Sequence, residues 1–548
     1  MTARFHLRLD RVLGDRPFAE IGDPALALED RGRRLLAVAG TCGALAGMNE
    51  FGRIAPVAVY GTDDLTCRAL LHARHPVHAL AFHPGLPLLA VGTGSYDGGY
   101  FFEGELLLLD LESGTATSLI AHELGRQVLG LEWLDAQRLR VLMAPHDDWE
   151  DEKAWAERHV AVVRRPNWRA VPPRSVPSED LVGPRVAAPR PDGREHAHRT
   201  LSDLTTDLNA GFTTDLTTDL TTDLNAGLTT DLTTGWDARR NVRAVEELSD
   251  GRILATLDGL RLECWSPGGG RQWAVPDDAP DDAPGGGRDL VVADGERSAW
   301  VGLVRPEWEK RPQSVLRLAL DDGALRDRLT PSAPVSLVRL ADGRPALAPA
   351  GSNGERGRLR IRRGSRSYFR ETVRARDEPW PEPAEHWLSA AAPVTTPAAG
   401  RPSEPAAGTT SRLFPYSWVP GETHFAGPGI ETAEGDLVHA GTVHHGHGLR
   451  PGGSFVVRRS ATTGEPDWVF RTDRKATALD ADADAETVYV TYDDGEIVAL
   501  DLHDGTVRDR RPLTVAAVPV LPTALTVAGP GRLLIGTSDG RILVCSAD

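Results

Sequence analysis

The chain is 548 residues long, 41% hydrophobic and 25% charged, with a formal net charge of −17. That acidic balance argues against a nucleic-acid partner, because proteins that grip a phosphate backbone present basic patches. No window approaches the ~18 apolar residues of a membrane span, and residues 1–10 lack the apolar stretch of a signal peptide.

In chain order, residues 5–13 alternate apolar and polar as one isolated strand. Units of four short strands, a to d, follow near residues 25–73, 78–120 and 127–171, separated by Gly and Asp turns. Residues 172–240 begin Pro-rich and become Leu204-Thr-Thr-Asp-Leu-Asn-Ala-Gly-Phe212 and its copies, with an apolar residue every fourth position through Trp236. A four-residue period drifts around a helix by roughly 40° per repeat, and Thr and Asp are weak helix formers. This low-complexity insertion is therefore expected to be disordered, with a small amphipathic element as the alternative. Further units occupy residues 241–276, 288–330 and 334–373, and residues 374–418 read as a Pro/Ala-rich linker or long loop. Residues 419–548 hold units near 424–473 and 476–513 and a final three-strand set at 524–545.

One device recurs: Leu106-Leu-Leu-Leu-Asp-Leu-Glu-Ser-Gly114, Leu316-Arg-Leu-Ala-Leu-Asp-Asp-Gly323 and Ile497-Val-Ala-Leu-Asp-Leu-His-Asp-Gly505. Each is an apolar strand closed by an acidic turn and a glycine. Self-similarity at about 40 residues marks a repeat architecture. The pattern resembles the β-propeller superfamily. Thr487-Val-Tyr-Val-Thr-Tyr-Asp-Asp-Gly495, together with Thr463, Gly464 and Trp468, is similar to a quinoprotein-like (PQQ-like) repeat. Val77-His-Ala-Leu-Ala-Phe-His-Pro84 with Leu88-Leu-Ala-Val-Gly92 resembles the opening of a WD-type repeat, without its Trp-Asp ending. The resemblance implies an all-β fold, a single closed propeller of roughly seven to nine four-stranded blades carried by residues 1–171, 241–373 and 419–548. The N-terminal strand would complete the last blade and remove two sheet edges.

In such blades the a–b and c–d turns share one side and the b–c loops the other. Here the a–b and c–d turns are short, whereas several b–c loops are long and aromatic. Those loops hold Phe51, Tyr96, Tyr100, Phe101, Phe102, Trp149, Trp155 and Trp308, the residues expected to bind a protein partner. Residues 443–453 are expected as another such loop, exposed and His-rich, with His444, His445 and His447 as weak metal candidates. The acidic runs 146–152 and 480–486 read as solvated charge. Neither a Gly-x-Ser-x-Gly elbow nor a phosphate-binding Gly-Lys-Ser/Thr loop is present. Cys42, Cys67, Cys264 and Cys545 lie far apart without paired metal spacing, which fits a reduced, cytoplasmic setting, and the residue usage suggests a bacterial source. The expectation is a non-catalytic scaffold with a protein partner, no cofactor, no nucleic acid and no membrane, its small-molecule ligands open. The alternative is an enzyme, or a metal- or small-molecule-binding propeller of quinoprotein-like type, acting at the central channel.

Overall fold

The computed structural model of this chain describes residues 6–42, 55–96, 102–120, 127–145, 156–188, 192–215, 239–277, 285–303, 314–330, 335–339, 345–349, 392–393, 423–432, 434–445, 448–460 and 466–547. Among the described residues the fold is all-β apart from one helix and short 3-10 turns, with eight four-stranded antiparallel sheets, a three-stranded one and two two-stranded ribbons, as in a propeller. The chain divides into two compact units. The larger comprises Met1–Asp15, Gly227–Thr229 and Arg239–Asp548, the smaller Arg16–Ala226 and Thr230–Ala238.

The smaller unit holds three four-stranded sheets. Sheet 1 is Asp23–Asp30, Leu35–Thr41, Ala55–Gly61 and Cys67–Ala73. Sheet 2 is Val77–Phe82, Leu88–Thr93, Leu106–Asp110 and Ala116–Ser118. Sheet 3 is Val128–Trp133, Arg138–Met143, Glu157–Arg164 and Arg185–Ala187. The inner strands of sheet 2 are unbroken apolar runs because both faces are buried. Leu89, Val91, Leu107 and Leu109 pack with sheet 1, while Leu88, Ala90, Leu106 and Leu108 pack with sheet 3. The far face of sheet 1, with Leu36, Val38, Ala58 and Tyr60, is covered by Phe18, Ile21 and Leu201. Leu201 belongs to helix α1, Arg194–Asp215, which packs along Asp23–Asp30.

One expectation changes in this unit. Residues 172–240 were expected to lack fixed structure, yet they supply the outer strand of sheet 3 and α1. The helix holds despite its Thr and Asp content because Ala197 and Leu201 are fully buried, so tertiary burial overrides weak propensity.

The larger unit holds sheets 4 to 9. Sheet 4 is Val242–Glu247, Ile253–Leu257, Leu260–Trp265 and Arg271–Pro276. Sheet 5 is Gly287–Ala293, Ser298–Leu303, Val315–Ala319 and Leu325–Leu329. Sheet 6 is Val335–Arg339, Pro345–Pro349 and Ala392–Pro393, so the Pro/Ala-rich stretch at 374–418 contributes a strand rather than only a linker. Sheet 7 is Thr423–Glu431, Leu437–His445, Gly448–Arg459 and Pro466–Thr472. Sheet 8 is Ala476–Asp482, Thr487–Tyr492, Glu496–Asp501 and Val507–Pro512. Sheet 9 is Pro522–Gly529, Arg532–Thr537 and Ile542–Ala547, completed by Leu7–Leu13 antiparallel to Ile542–Ala547.

Within the larger unit, the first strand of sheet 9 lies beside the first strands of sheets 8 and 4. Thr523 and Thr526 donate to the Val242 and Val245 carbonyls at 2.8 Å each, and Arg532 forks onto Glu247 at 2.7 and 2.9 Å. Ala524, Leu534, Val242 and Leu257 share the apolar filling of that seam.

The acidic run 480–486 is not simply solvated. Period-two alternation turns Asp480 and Asp482 inward, where they accept from the Val527 and Gly531 N–H groups of sheet 9 at 2.8 and 2.7 Å. Removing the Asp482 carboxylate would leave the Gly531 N–H and the Ala485 N–H without their acceptor. Asp482→Ala is expected to cost about 1–3 kcal/mol of stability, read as a lower urea midpoint at unchanged slope, whereas exposed Asp484→Ala should move it by no more than about 0.5 kcal/mol.

Candidate functional site

The recurring acidic turn is a structural clamp. In two copies, Asp110 and Asp501 begin the c–d turn and accept from N–H groups inside it: Glu112 and Ser113 at 2.9 and 3.0 Å, His503 and Asp504 at 2.8 and 3.2 Å. Gly114 and Gly505 close the turns at φ 70° and 72°, a region where a side chain costs energy and glycine does not. Partial burial opposes the charge on Asp501, but Arg508 and the turn N–H groups outweigh it and hold the carboxyl below its ordinary range. Gly505 also lies under Trp468, with an added Cβ falling 2.6 Å from the indole.

On the b–c side of sheet 2 the chain forms a small ribbon. Ser95–Tyr96 pairs antiparallel with Phe102–Glu103, setting Tyr96 directly opposite Phe102. The ribbon's base is fixed by polar groups. His78 Nε2 bonds the Gly94 carbonyl at 2.9 Å, Ser95 Oγ meets His75 Nδ1 at 3.4 Å, and the Glu105 N–H donates to Thr93 Oγ1 at 2.9 Å. Burial lowers the pKa of His75 against the pull of Glu103 and Glu105. The ribbon thus stands on an anchored stem.

Of the residues expected to bind a partner, Tyr96 and Phe102 are brought together as this cross-strand pair. Phe51, Tyr100, Phe101, Trp149, Trp155 and Trp308 lie outside the described residues. The expected His-rich loop at 443–453 is instead a hairpin, since strands run to His445 and from Gly448. His444 and His445 sit on its strands and pair with Leu449 and Gly448, and His447 is outside the described residues. Nearby His439 is buried rather than exposed. Its Nδ1 faces the Ala440 carbonyl at 3.2 Å and its Nε2 accepts from Arg459 at 3.3 Å. That pattern suits the neutral ring, and burial reinforced by Arg459 lowers its pKa to about 3. Among the described residues no group of three His, Cys, Asp or Glu side chains is placed to hold a metal ion.

Sequence reasoning passed over one polar pair, at the b–c end of sheet 8. The Lys475 N–H donates to Asp493 Oδ1 at 3.1 Å and the Asp493 N–H returns to the Lys475 carbonyl at 2.9 Å. Burial pushes both side chains toward their neutral forms, lowering the lysine pKa and raising the aspartate. Lysine's rarity in this Arg-rich chain is the signal that singles it out.

No family model and no curated protein matches the chain. Among solved structures, BamB from Moraxella catarrhalis aligns over 99% of this chain and 100% of its own at 11% identity and a TM-score of 0.18. The computationally designed Ika8 protein aligns over 98% and 99% at 10% identity, also with a TM-score of 0.18.

The neutral His439 sets a pH dependence. The unfolded chain takes up a proton near pH 6.5 that the folded state refuses until about pH 3. Stability contributed by this group is therefore intact above pH 6.5 and falls by about 1.4 kcal/mol per pH unit below it, flattening near pH 3. Urea midpoints measured from pH 7 to 4 should fall less steeply for His439→Gln than for the wild type.

Proposed function

We propose that this chain is a propeller-type scaffold, its sheets serving as blades, which binds a protein partner through the b–c loops. The observation that carries this reading is the anchored ribbon, whose register sets Tyr96 opposite Phe102. An aromatic pair on a stem already fixed by His75, His78 and Thr93 loses little entropy on binding, and aromatic side chains dominate interface energetics. Phe51, Tyr100, Phe101, Trp149, Trp155 and Trp308 are the further loop residues of this proposal. The clamped turns on the opposite side, built on Asp110 and Asp501, spend their polar groups on their own backbone. The reading also places the protein in the cytoplasm, where its four free cysteines would remain thiols.

The test is affinity capture from cells of the source organism with wild type and with Tyr100/Phe101/Phe102→Ala, matched by thermal midpoint. A stoichiometric protein recovered with wild type should fall at least about tenfold with the variant. Equal recovery by both would overturn the reading. Metal or cofactor retained through purification would instead favour chemistry at the b–c ends of the sheets, with Lys475 and Asp493 as the first residues to vary.

A further inference from the structure

The chain leaves sheet 9 at Leu13 and enters sheet 4 at Val242, and these two sheets are neighbours within the larger unit. A connection from the outer strand of one sheet to the inner strand of the next needs only a short loop. The corresponding link between sheets 8 and 9 runs from Pro512 to Pro522. Residues 16–238 stand where such a loop would be.

The two stems of that excursion are fastened side by side. Gly14, at φ +70°, lies so close to Arg239 that an added Cβ would be 2.7 Å from its Nε. Arg239 forks onto Glu263 at 2.6 and 2.9 Å, donates from Nε to the Gly540 carbonyl at 3.0 Å, and lies over the Trp265 ring. Asp15 reaches Arg541 at 3.4 Å, and Arg541 forks onto Asp539 at 2.7 and 3.2 Å. Arg239, Glu263, Asp539 and Arg541 are all buried. Losing one partner of a buried ion pair is strongly destabilising, so both stems are tied to sheets 4 and 9 whatever lies between them.

The excursion also finishes its own ends. Sheet 1 has its outer face covered by Phe18, Ile21 and α1. Sheet 3 turns exposed Glu132, Arg138, Arg140 and Arg164 outward, with Leu139, Val141, Met143 and Ala161 inward against sheet 2. A covered first repeat and a charged last one are how a stack of repeats ends in water.

We propose that residues 16–238 are a self-folding three-sheet module inserted into one loop of a six-bladed propeller, which is complete without them. The two bodies then open independently. Native-state hydrogen exchange of the full chain, read by mass spectrometry across a urea series, tests this. Peptides from residues 23–164 and from 242–547 should follow two opening isotherms with different midpoints. A single shared isotherm would overturn the proposal. Trp133, whose Nε1 donates to the Ala81 carbonyl at 3.0 Å, serves the module. Trp468, whose Nε1 donates to the Leu502 carbonyl at 3.0 Å, serves the propeller. Trp133→Ala should speed exchange in the first set about tenfold or more and leave the second within about twofold, with Trp468→Ala doing the reverse. Equal acceleration of both sets by either variant would overturn it, and the wild-type isotherms decide the matter should a variant fail to fold.

Discussion

A sheet that is apolar on both faces cannot stand in water, and that constraint organises this molecule. Strands such as Leu88–Thr93 and Leu106–Asp110 send alternate side chains into two different cores, so each sheet needs a neighbour on either side. Elements other than sheets also cover sheet faces. Helix α1 serves on sheet 1 and charged side chains serve on sheet 3. At sheet 9 the exposed edge of Ile542–Ala547 is paired by Leu7–Leu13.

Apolar filling alone would let neighbouring sheets slide, and the seams are pinned by side chains that seek backbone groups across them. Trp133 reaches the Ala81 carbonyl, Trp468 and Arg458 both reach that of Leu502, and His83 Nε2 bonds that of Ala136. Asp480 and Asp482 work in the opposite sense, accepting from N–H groups. Each bond contributes only about 1 kcal/mol, but each has a single register at which it can form. His83 shows how much one residue can set. Its Nδ1 accepts from the Gly85 and Leu86 N–H groups of its own turn while the ring packs edge-on against Trp133.

The strands themselves were legible because their signals are local. The run expected at 78–83 is Val77–Phe82, and those at 487–492 and 496–502 are Thr487–Tyr492 and Glu496–Asp501. Alternation and Gly turns suffice for that. Seam order was not legible, because nothing in Val242 or Thr523 announces that the two strands meet. Asp480 and Asp482 read as solvated charge for the same reason, since their acceptor role depends on backbone donors roughly 50 residues away. The outer strand of sheet 3 and α1 sit in composition that looks structureless, and they are held by partners such as Val160 and Phe18 that composition does not reveal. For the candidate site, aromatic loops could be named from sequence, but the pairing of Tyr96 with Phe102 needed the strand register.

The pairing of Leu7–Leu13 with Ile542–Ala547 bears on how the protein is made. Chains emerge from the ribosome with the N-terminal part first, and domains fold as they appear. Leu7–Leu13 emerges before sheets 1 to 8, and its partner strand only after them. Sheets 1 to 3 have everything they need much sooner. During synthesis the early strand therefore waits, with an unpaired edge, beside three sheets that are already able to fold. Its exposed positions Arg8 and Asp10 carry charge through that interval, which discourages a premature match with the wrong edge.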